Sequence, residues 1–199
     1  MKIQGKIIKK GTILYRYIPN KKPTDVKLGI RQNKGENGRC NLHRNIYYCS
    51  LSMEALKEEF NNSLNGSIII SIVTNDIEVG SPKDTHIIQL LCGATLKEVR
   101  SCEVPLLYLG INEINDKIGL SIKTPTIIDY KLTSGITESF LKYTPDGIIY
   151  PSCKHAAFTI KNSDYMYISD NFNLFNNIAL TEQGYSKIKE GLILSIKEV

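Results

Sequence analysis

Short runs of β-branched and aromatic residues, separated by glycine and polar residues, recur along most of the chain. The first two are KIIKK (residues 6–10) and TILYRYI (residues 12–18), and NIYYCS (residues 45–50) follows after a polar stretch. Runs of this length and composition are typical of β-strands. Mostly strand-like runs, interrupted by short pieces that could be helical, continue at residues 67–73, 85–91, 102–111, 117–123, 124–130, 148–152, 155–160 and 164–169.

Helical periodicity occurs in fewer places. Ser52 is a candidate N-cap, and after it comes an apolar stripe at helical spacing made of Met53, Leu56, Phe60 and Leu64. This stripe predicts a helix packed on the core. TESFLKY (137–143) predicts a short helix, TPDG (144–147) a turn, and the C-terminus a helical or mixed structure. Because strands outnumber helices without regular alternation, the pattern favours an α+β fold over a Rossmann fold.

The composition is that of a globular domain. Of the 199 residues, 42% are hydrophobic and 23% charged, so a single domain over residues 1–199 is predicted. Residues 19–45 are rich in Pro, Gly, Asn and charge, which favours a long irregular loop that carries function. The N-terminus lacks the apolar core of a signal peptide, and no run approaches the roughly 18 apolar residues of a membrane span. We therefore expect a cytoplasmic protein with no membrane contact.

Charge, cysteines and motifs exclude several classes of protein. The net charge is +5, but the basic residues are scattered, so direct binding to nucleic acid is disfavoured and a mildly basic solvated surface is favoured, with an anionic small molecule or an acidic protein partner as the alternative. The five cysteines include no C-x-x-C pair, which indicates neither a disulfide framework nor a metal site. The glycine-rich nucleotide-binding motifs, H-E-x-x-H and G-x-S-x-G are all absent.

Arg16 is the first candidate functional residue. The period of two in a strand places Arg16 on one face with Leu14 and Ile18, among apolar neighbours. A half-buried guanidinium needs a partner, which is either a carboxylate of the protein or an anionic ligand such as a phosphate. The strand pattern alone favours an internal salt bridge.

Three other positions carry polar groups whose role the pattern leaves open. Glu58 lies away from the apolar stripe of its helix, and helical periodicity alone favours a solvated carboxylate. Tyr47 and Tyr48 point to opposite faces of their strand, so that one enters the core and the other can face the loop 19–45. Ser152 follows a proline, where a hydroxyl commonly bonds to nearby backbone.

Four segments, taken in order, resemble the RES domain, the toxin of bacterial RES/Xre toxin–antitoxin pairs. They are LYRY (14–17), GRCN (38–41), IYYCSLSMEALKE (46–58) and DGIIYPS (146–152). The family shows a similar LYR near its start, a GR-aromatic-N loop, a strand that runs into a helix with A-x-x-E, and a late G-x-x-Y-x-S. The resemblance spans residues 11–175 and rests on the order of the four motifs.

The resemblance implies an ADP-ribosyltransferase-like mixed β-sheet core with flanking helices, and an enzyme that degrades NAD. Its reaction cleaves the nicotinamide–ribose bond by hydrolysis or phosphorolysis. Glu58 is then the catalytic carboxylate that stabilises positive charge developing on the ribose, as in glycoside cleavage. Arg16 acts with it as a second catalytic residue and binds the NAD pyrophosphate.

The remaining implied contacts to NAD come from other segments. Tyr17 or Tyr47 would stack on or flank the nicotinamide or ribose, and Ser152 would bond to the nicotinamide end or orient Glu58. Arg39 belongs to the GRCN loop, which is expected at the mouth of the pocket. No metal and no cofactor beyond NAD as substrate is expected, since the positive charge of the nicotinamide already makes the bond labile.

The resemblance also implies an Xre-type antitoxin as protein partner, while the oligomeric state, including a homo-oligomer, stays open. Two alternative functions remain. The same centre could transfer ADP-ribose to a macromolecule, although the sequence has no evident E-x-E or Q-x-E pair near Glu58. The chain could also be a non-enzymatic binding module in which Arg16 and Glu58 pair with each other in the core.

Overall fold

The structure of the protein, a computed structural model, describes residues 3–30, 40, 44–59, 65–82, 127–150 and 175–197. The strand-like runs predicted at 85–91, 102–111, 117–123, 155–160 and 164–169 lie outside the described residues, as do Phe60 and Leu64 of the predicted apolar stripe. No described helix is long and apolar enough to cross a membrane.

Eight strands and three α-helices make up the described part of the chain, together with a short 3-10 helix at Pro23–Asp25. The strands are β1 (Ile3–Ile8), β2 (Ile13–Pro19), β3 (Tyr47–Ser50), β4 (Asn65–Val73), β5 (Ile77–Pro82), β6 (Gly147–Tyr150), β7 (Asn177–Leu180) and β8 (Ile188–Lys197). The helices are α1 (Met53–Glu59), α2 (Ile127–Leu141) and α3 (Glu182–Tyr185). This arrangement of one mixed sheet with few helices confirms the predicted α+β class.

The eight strands form one sheet in the order β1-β5-β6-β7-β3-β2-β4-β8, in which only the β5–β6 pair is parallel. β1 runs into β2, and β4 into β5, across connections of a few residues, yet these strands lie far apart in the sheet order. The chain turns a corner at both connections. Hydrogen bonds join the two corners, from Gly11 N to Val73 O (2.8 Å) and from Lys10 N to Asp76 Oδ1 (2.8 Å).

These two corners, at the β1–β2 and β4–β5 connections, curl the sheet around its main core. The core contains at least one buried side chain from each of β1 to β7, including Ile8, Leu14, Tyr47, Ile77 and Ile149. Residues so far apart in the strand order can share one cluster because the bending of the sheet brings its two halves toward each other. We call the face of the sheet that carries these side chains the inner face.

The two longer helices pack on the opposite, outer face. Leu56 and Met53 of α1 pack with Tyr17 of β2 and Ile68 of β4, as the predicted apolar stripe requires. Ser52 caps the helix, since its Oγ accepts a hydrogen bond from the Ala55 N–H at 3.2 Å, which confirms the predicted N-cap.

α2 begins where a strand-like run was expected, at Ile127, and continues through the predicted helix to Leu141. The prediction of a strand at 124–130 is wrong over Ile127–Tyr130, because β-branched residues cost a helix only a few tenths of a kcal/mol each. Packing decides instead: Phe140 and Leu141 are buried against β6. Gly80 of β5 allows this approach, since a Cβ there would lie 2.8 Å from Phe140 Cδ1.

Candidate functional site

Arg16 lies on the inner face of the sheet, two residues after the fully buried Leu14, and is itself half-buried. Its neighbour Tyr15 pairs with Ser50 of β3, so Tyr47, further along the same strand, is within diagonal reach. The Arg16 Cζ lies 4.6 Å from the centroid of the Tyr47 ring. The geometry is that of a cation held over an aromatic face.

The partner of Arg16 differs from the salt bridge that the strand pattern favours. Its Nη1 donates a hydrogen bond to the Gly29 carbonyl at 3.0 Å. None of the ion pairs among the described residues includes Arg16. A guanidinium presents several N–H donors. Most of the N–H donors of Arg16 are therefore unused within the described part of the chain. These donors can bind an anion.

The Tyr47 ring lies directly beneath the Arg16 guanidinium. The side chain of Tyr47 is completely buried, and its hydroxyl shares a hydrogen bond with Ser71 Oγ at 3.2 Å. Its ring contacts Tyr185, with the ring centroids 5.1 Å apart. Burial raises the pKa of the Tyr47 hydroxyl well above its usual range, with a smaller opposing effect from the Ser71 hydrogen bond. The ring therefore stays neutral, and its face remains available to Arg16.

Glu190 of β8 belongs to the same cluster, although no sequence motif singles it out. Its Oε2 accepts hydrogen bonds from the Gly29 N–H at 2.6 Å and from the Tyr185 hydroxyl at 2.8 Å. Burial raises the pKa of Tyr185 to about 12, and the hydrogen bond to Glu190 and its negative charge act in the same direction. The period of two that places Arg16 beside Leu14 also places Glu190 beside Ile188, and that pattern could have identified it.

Tyr17 and Tyr48 lie on the outer face, away from Arg16. The Tyr17 hydroxyl donates to Asn65 O at 2.7 Å and accepts from Asn65 N at 2.9 Å, so it bonds to the backbone at the start of β4. The Tyr48 hydroxyl accepts a hydrogen bond from Cys40 N at 3.0 Å. Since Tyr47 is buried and Tyr48 contacts the segment 19–45, the expected division between core and loop is confirmed.

The predicted site residues are thus divided between two faces of the sheet. Arg16 and Tyr47 come together on the inner face, whereas Tyr17 packs on the outer face with α1. The backbone of Glu58 lies in the last turn of α1, and its side chain is outside what is described. Arg39 and Ser152 also lie outside the described residues.

Cys49 is a poor candidate nucleophile although it is near the cation. It is a free, buried thiol on the inner face, and burial raises its pKa while the charge of Arg16 partly opposes the rise. A thiol in this state stays protonated. Among the described residues, no group of three or more His, Cys, Asp or Glu side chains is placed to hold a metal ion.

No family model, curated protein or solved structure matches this chain. The chemistry of the site therefore follows from its own residues. A half-buried guanidinium lies on a neutral aromatic ring, with most of its donors unused by the described residues, and Gly29 connects it to the partly buried carboxylate of Glu190. Such an arrangement suits an oxyanion such as a phosphate or pyrophosphate, two oxygens of which the planar guanidinium of an arginine binds by paired N–H bonds.

Proposed function

We propose that this protein is an enzyme that degrades NAD by cleaving its nicotinamide–ribose bond, with water or phosphate as acceptor. The observation that carries the proposal is the Arg16 guanidinium, held over the Tyr47 ring with most of its donors unused by described residues. The two residues come from the LYRY and IYYCS segments that resemble the RES domain. The curled mixed sheet is compatible with an ADP-ribosyltransferase-like fold, which we propose for this chain.

In this proposal Arg16 binds the NAD pyrophosphate by charge-assisted hydrogen bonds. The bond to the Gly29 carbonyl fixes one edge of the guanidinium, and Tyr47 supports its plane from below. Because both contacts are present without ligand, little side-chain entropy is lost when the anion binds. Arg16 therefore supplies affinity and orientation for NAD.

Glu58 is the proposed catalytic carboxylate. Departure of nicotinamide leaves positive charge on the ribose, and a nearby carboxylate lowers the free energy of that transition state. α1 contacts both β2 and β3, the strands that carry Arg16 and Tyr47, but from the outer face. NAD is an elongated molecule, and it would pass the end of these strands to contact Arg16 and Glu58 together. Arg39, Ser152 and one of the tyrosines complete the proposed pocket.

An Xre-type antitoxin is the proposed partner, and the cytoplasm, where NAD is abundant, is the proposed location. The support for both is the resemblance of the four sequence segments. An NAD-degrading activity harms its own cell, so a protein that covers the cleft would be needed to restrain it.

A non-enzymatic binding module is the second candidate. The placement of α1 on the face opposite Arg16 favours it, since Arg16 and Tyr47 alone make an anion site without a catalytic carboxylate. In this case NAD or ADP-ribose would raise the melting temperature, because a ligand that binds only the folded state stabilises it, but nicotinamide would not be released.

The deciding experiment quantifies nicotinamide and the ribose-side product formed from NAD by purified protein, with and without phosphate. The variants are wild type, Glu58→Gln and Arg16→Ala, with Glu59→Gln as the matched control on the same helix. We expect Glu58→Gln to lose turnover by about two orders of magnitude or more, Arg16→Ala mainly to raise KM, and Glu59→Gln to resemble wild type. Absence of nicotinamide release by wild type under both conditions would exclude the proposed activity.

A further inference from the structure

Arg16 and four other residues form a closed ring of contacts. Arg16 Nη1 donates to the Gly29 carbonyl at 3.0 Å, and the Gly29 N–H donates to Glu190 Oε2 at 2.6 Å. The Tyr185 hydroxyl donates to the same oxygen at 2.8 Å. The Tyr185 ring contacts Tyr47 at 5.1 Å between centroids, and Tyr47 lies 4.6 Å below Arg16 Cζ. Each residue of the ring therefore restricts the position of the residue that it contacts.

Glu190 is the member that joins the irregular segment before residue 30 to the sheet. It lies on β8, where it pairs with Ser71 of β4, so its backbone position is fixed by the ladder. Gly29 lies outside the eight described strands, and it is 161 residues away from Glu190 in sequence. Its φ of 122° is a conformation that favours glycine. Gly29 thus donates its N–H to Glu190 and accepts from Arg16 at its carbonyl, through the two peptide groups on either side of its Cα.

The charge arrangement argues against a simple salt bridge. Glu190 and Arg16 have opposite charges on the same face, but no ion pair joins them among the described residues. The Glu190 carboxylate instead uses Oε2 for two neutral donors, while its buried Oε1 has no hydrogen-bond partner in the described part of the chain. The positive charge of Arg16 is therefore left for another anion.

We infer that Glu190 is a positioning residue of the anion site, which holds the Arg16 guanidinium in place through the backbone of Gly29. This inference rests on the proposed function only in taking the natural anion to be the pyrophosphate of NAD. Loss of the Glu190 acceptor frees Gly29, and Arg16 then loses the carbonyl that orients it. Anion affinity falls as a result, although Glu190 never touches the anion.

The test measures binding of inorganic pyrophosphate by calorimetry at low ionic strength, where charge interactions are least screened. Glu190→Ala is expected to weaken binding about tenfold, because the Arg16 side chain is then no longer held in place and loses conformational entropy when the anion binds. Glu190→Gln keeps an acceptor oxygen, and we expect it to restore affinity to within about threefold of wild type. If Glu190 had a merely structural role, Glu190→Gln and Glu190→Ala variants of equal melting temperature would bind pyrophosphate equally well.

Two further variants serve as a check and a control. Gly29→Ala places a side chain in open space but at an unfavourable φ, so it perturbs the same peptide without touching the core, and it should weaken pyrophosphate binding in the same direction as Glu190→Ala. This variant decides the question if Glu190→Ala fails to fold. Glu78→Ala removes an exposed carboxylate from another strand and should leave binding unchanged.

The outcomes separate this inference from the proposed function. Pyrophosphate binding that depends on Arg16 and weakens in Glu190→Ala or Gly29→Ala supports the inference even if wild type releases no nicotinamide from NAD. The inference is wrong if wild type binds pyrophosphate no better than Arg16→Ala. It is also wrong if Glu190→Ala, or Gly29→Ala in its place, binds pyrophosphate like wild type.

Discussion

Asp146 connects three parts of the fold through one carboxylate oxygen. Its Oδ2 accepts hydrogen bonds from the Lys187 ammonium at 2.5 Å and from the Glu78 backbone N–H at 2.8 Å. These donors lie at the start of β5 and just before β8, while Asp146 directly precedes β6. The Asp146 side chain is only 3% exposed and that of Lys187 is 29% exposed. We expect replacement of Asp146 to be strongly destabilising.

The expected cost follows from the groups left without partners. Asp146→Ala leaves the Glu78 N–H without its acceptor, which costs about 1–3 kcal/mol, and removes a hydrogen bond between charged groups worth about 1.5–3 kcal/mol. Lys187 can turn partly to solvent and recover some of that loss. We therefore expect about 3 kcal/mol of lost stability for Asp146→Ala, and about half of that for Asp146→Asn, which keeps an acceptor oxygen.

The assay is urea unfolding followed by circular dichroism, with thermal unfolding alongside. At about 2–4 °C per kcal/mol for a chain of this size, Asp146→Ala should lower the melting temperature by about 6–12 °C. Lys9→Met is the matched control, since Lys9 pairs with Asp76 at 3.0 Å but is 70% exposed, and exposed pairs contribute about 0–1 kcal/mol. The double variant with Lys187→Met should cost less than the sum of the two single changes, because both remove the same contact. Strict additivity, or a cost for Asp146→Ala no larger than that of Lys9→Met, would refute the reasoning.

Three further predictions concern single residues. Tyr17→Phe should lower the free energy of unfolding by about 1–2 kcal/mol in urea unfolding, since both hydrogen bonds to Asn65 are lost, and it should leave pyrophosphate affinity unchanged. Gly80→Ala should cost about 1–3 kcal/mol by the same measure, because its Cβ would lie 2.8 Å from Phe140 Cδ1 of α2; an unchanged midpoint would contradict the packing of α2. The pKa of Tyr185 is raised from 10.0 to about 12, so the unfolded chain loses this proton first and stability should fall as pH rises across that interval. Tyr185→Phe should make that fall less steep in urea titrations at each pH, and an identical slope would contradict the shift.

Local features of the chain were predictable because they depend on neighbours in sequence. Period two placed Arg16 on the apolar face of β2 and separated Tyr47 from Tyr48, and Ser52 marked the start of α1. The same reasoning did not predict β5 or β8. β5 contains both glycine and proline, and β8 mixes charged with apolar residues, so neither has the composition of an evident strand.

The partners of the candidate site could not be predicted from local pattern. Arg16 was expected to find a carboxylate or an anion, and among the described residues it finds the Gly29 carbonyl and the Tyr47 ring. Glu190 enters the cluster from a strand at the other end of the chain. Nothing in the spacing of these residues encodes which strands become neighbours.

The sequence by itself determined the α+β class, the first strands, the cap of α1 and the need of Arg16 for a partner. These follow from side-chain shape, period and burial of charge, which act over a few residues. Only the tertiary structure decided that the sheet curls at the β1–β2 and β4–β5 corners, that α1 packs opposite Arg16, and that Glu190 holds Gly29. The physical reason is that strand order and helix side are set by long-range pairing and core packing, whose free energies depend on contacts between residues far apart in the chain.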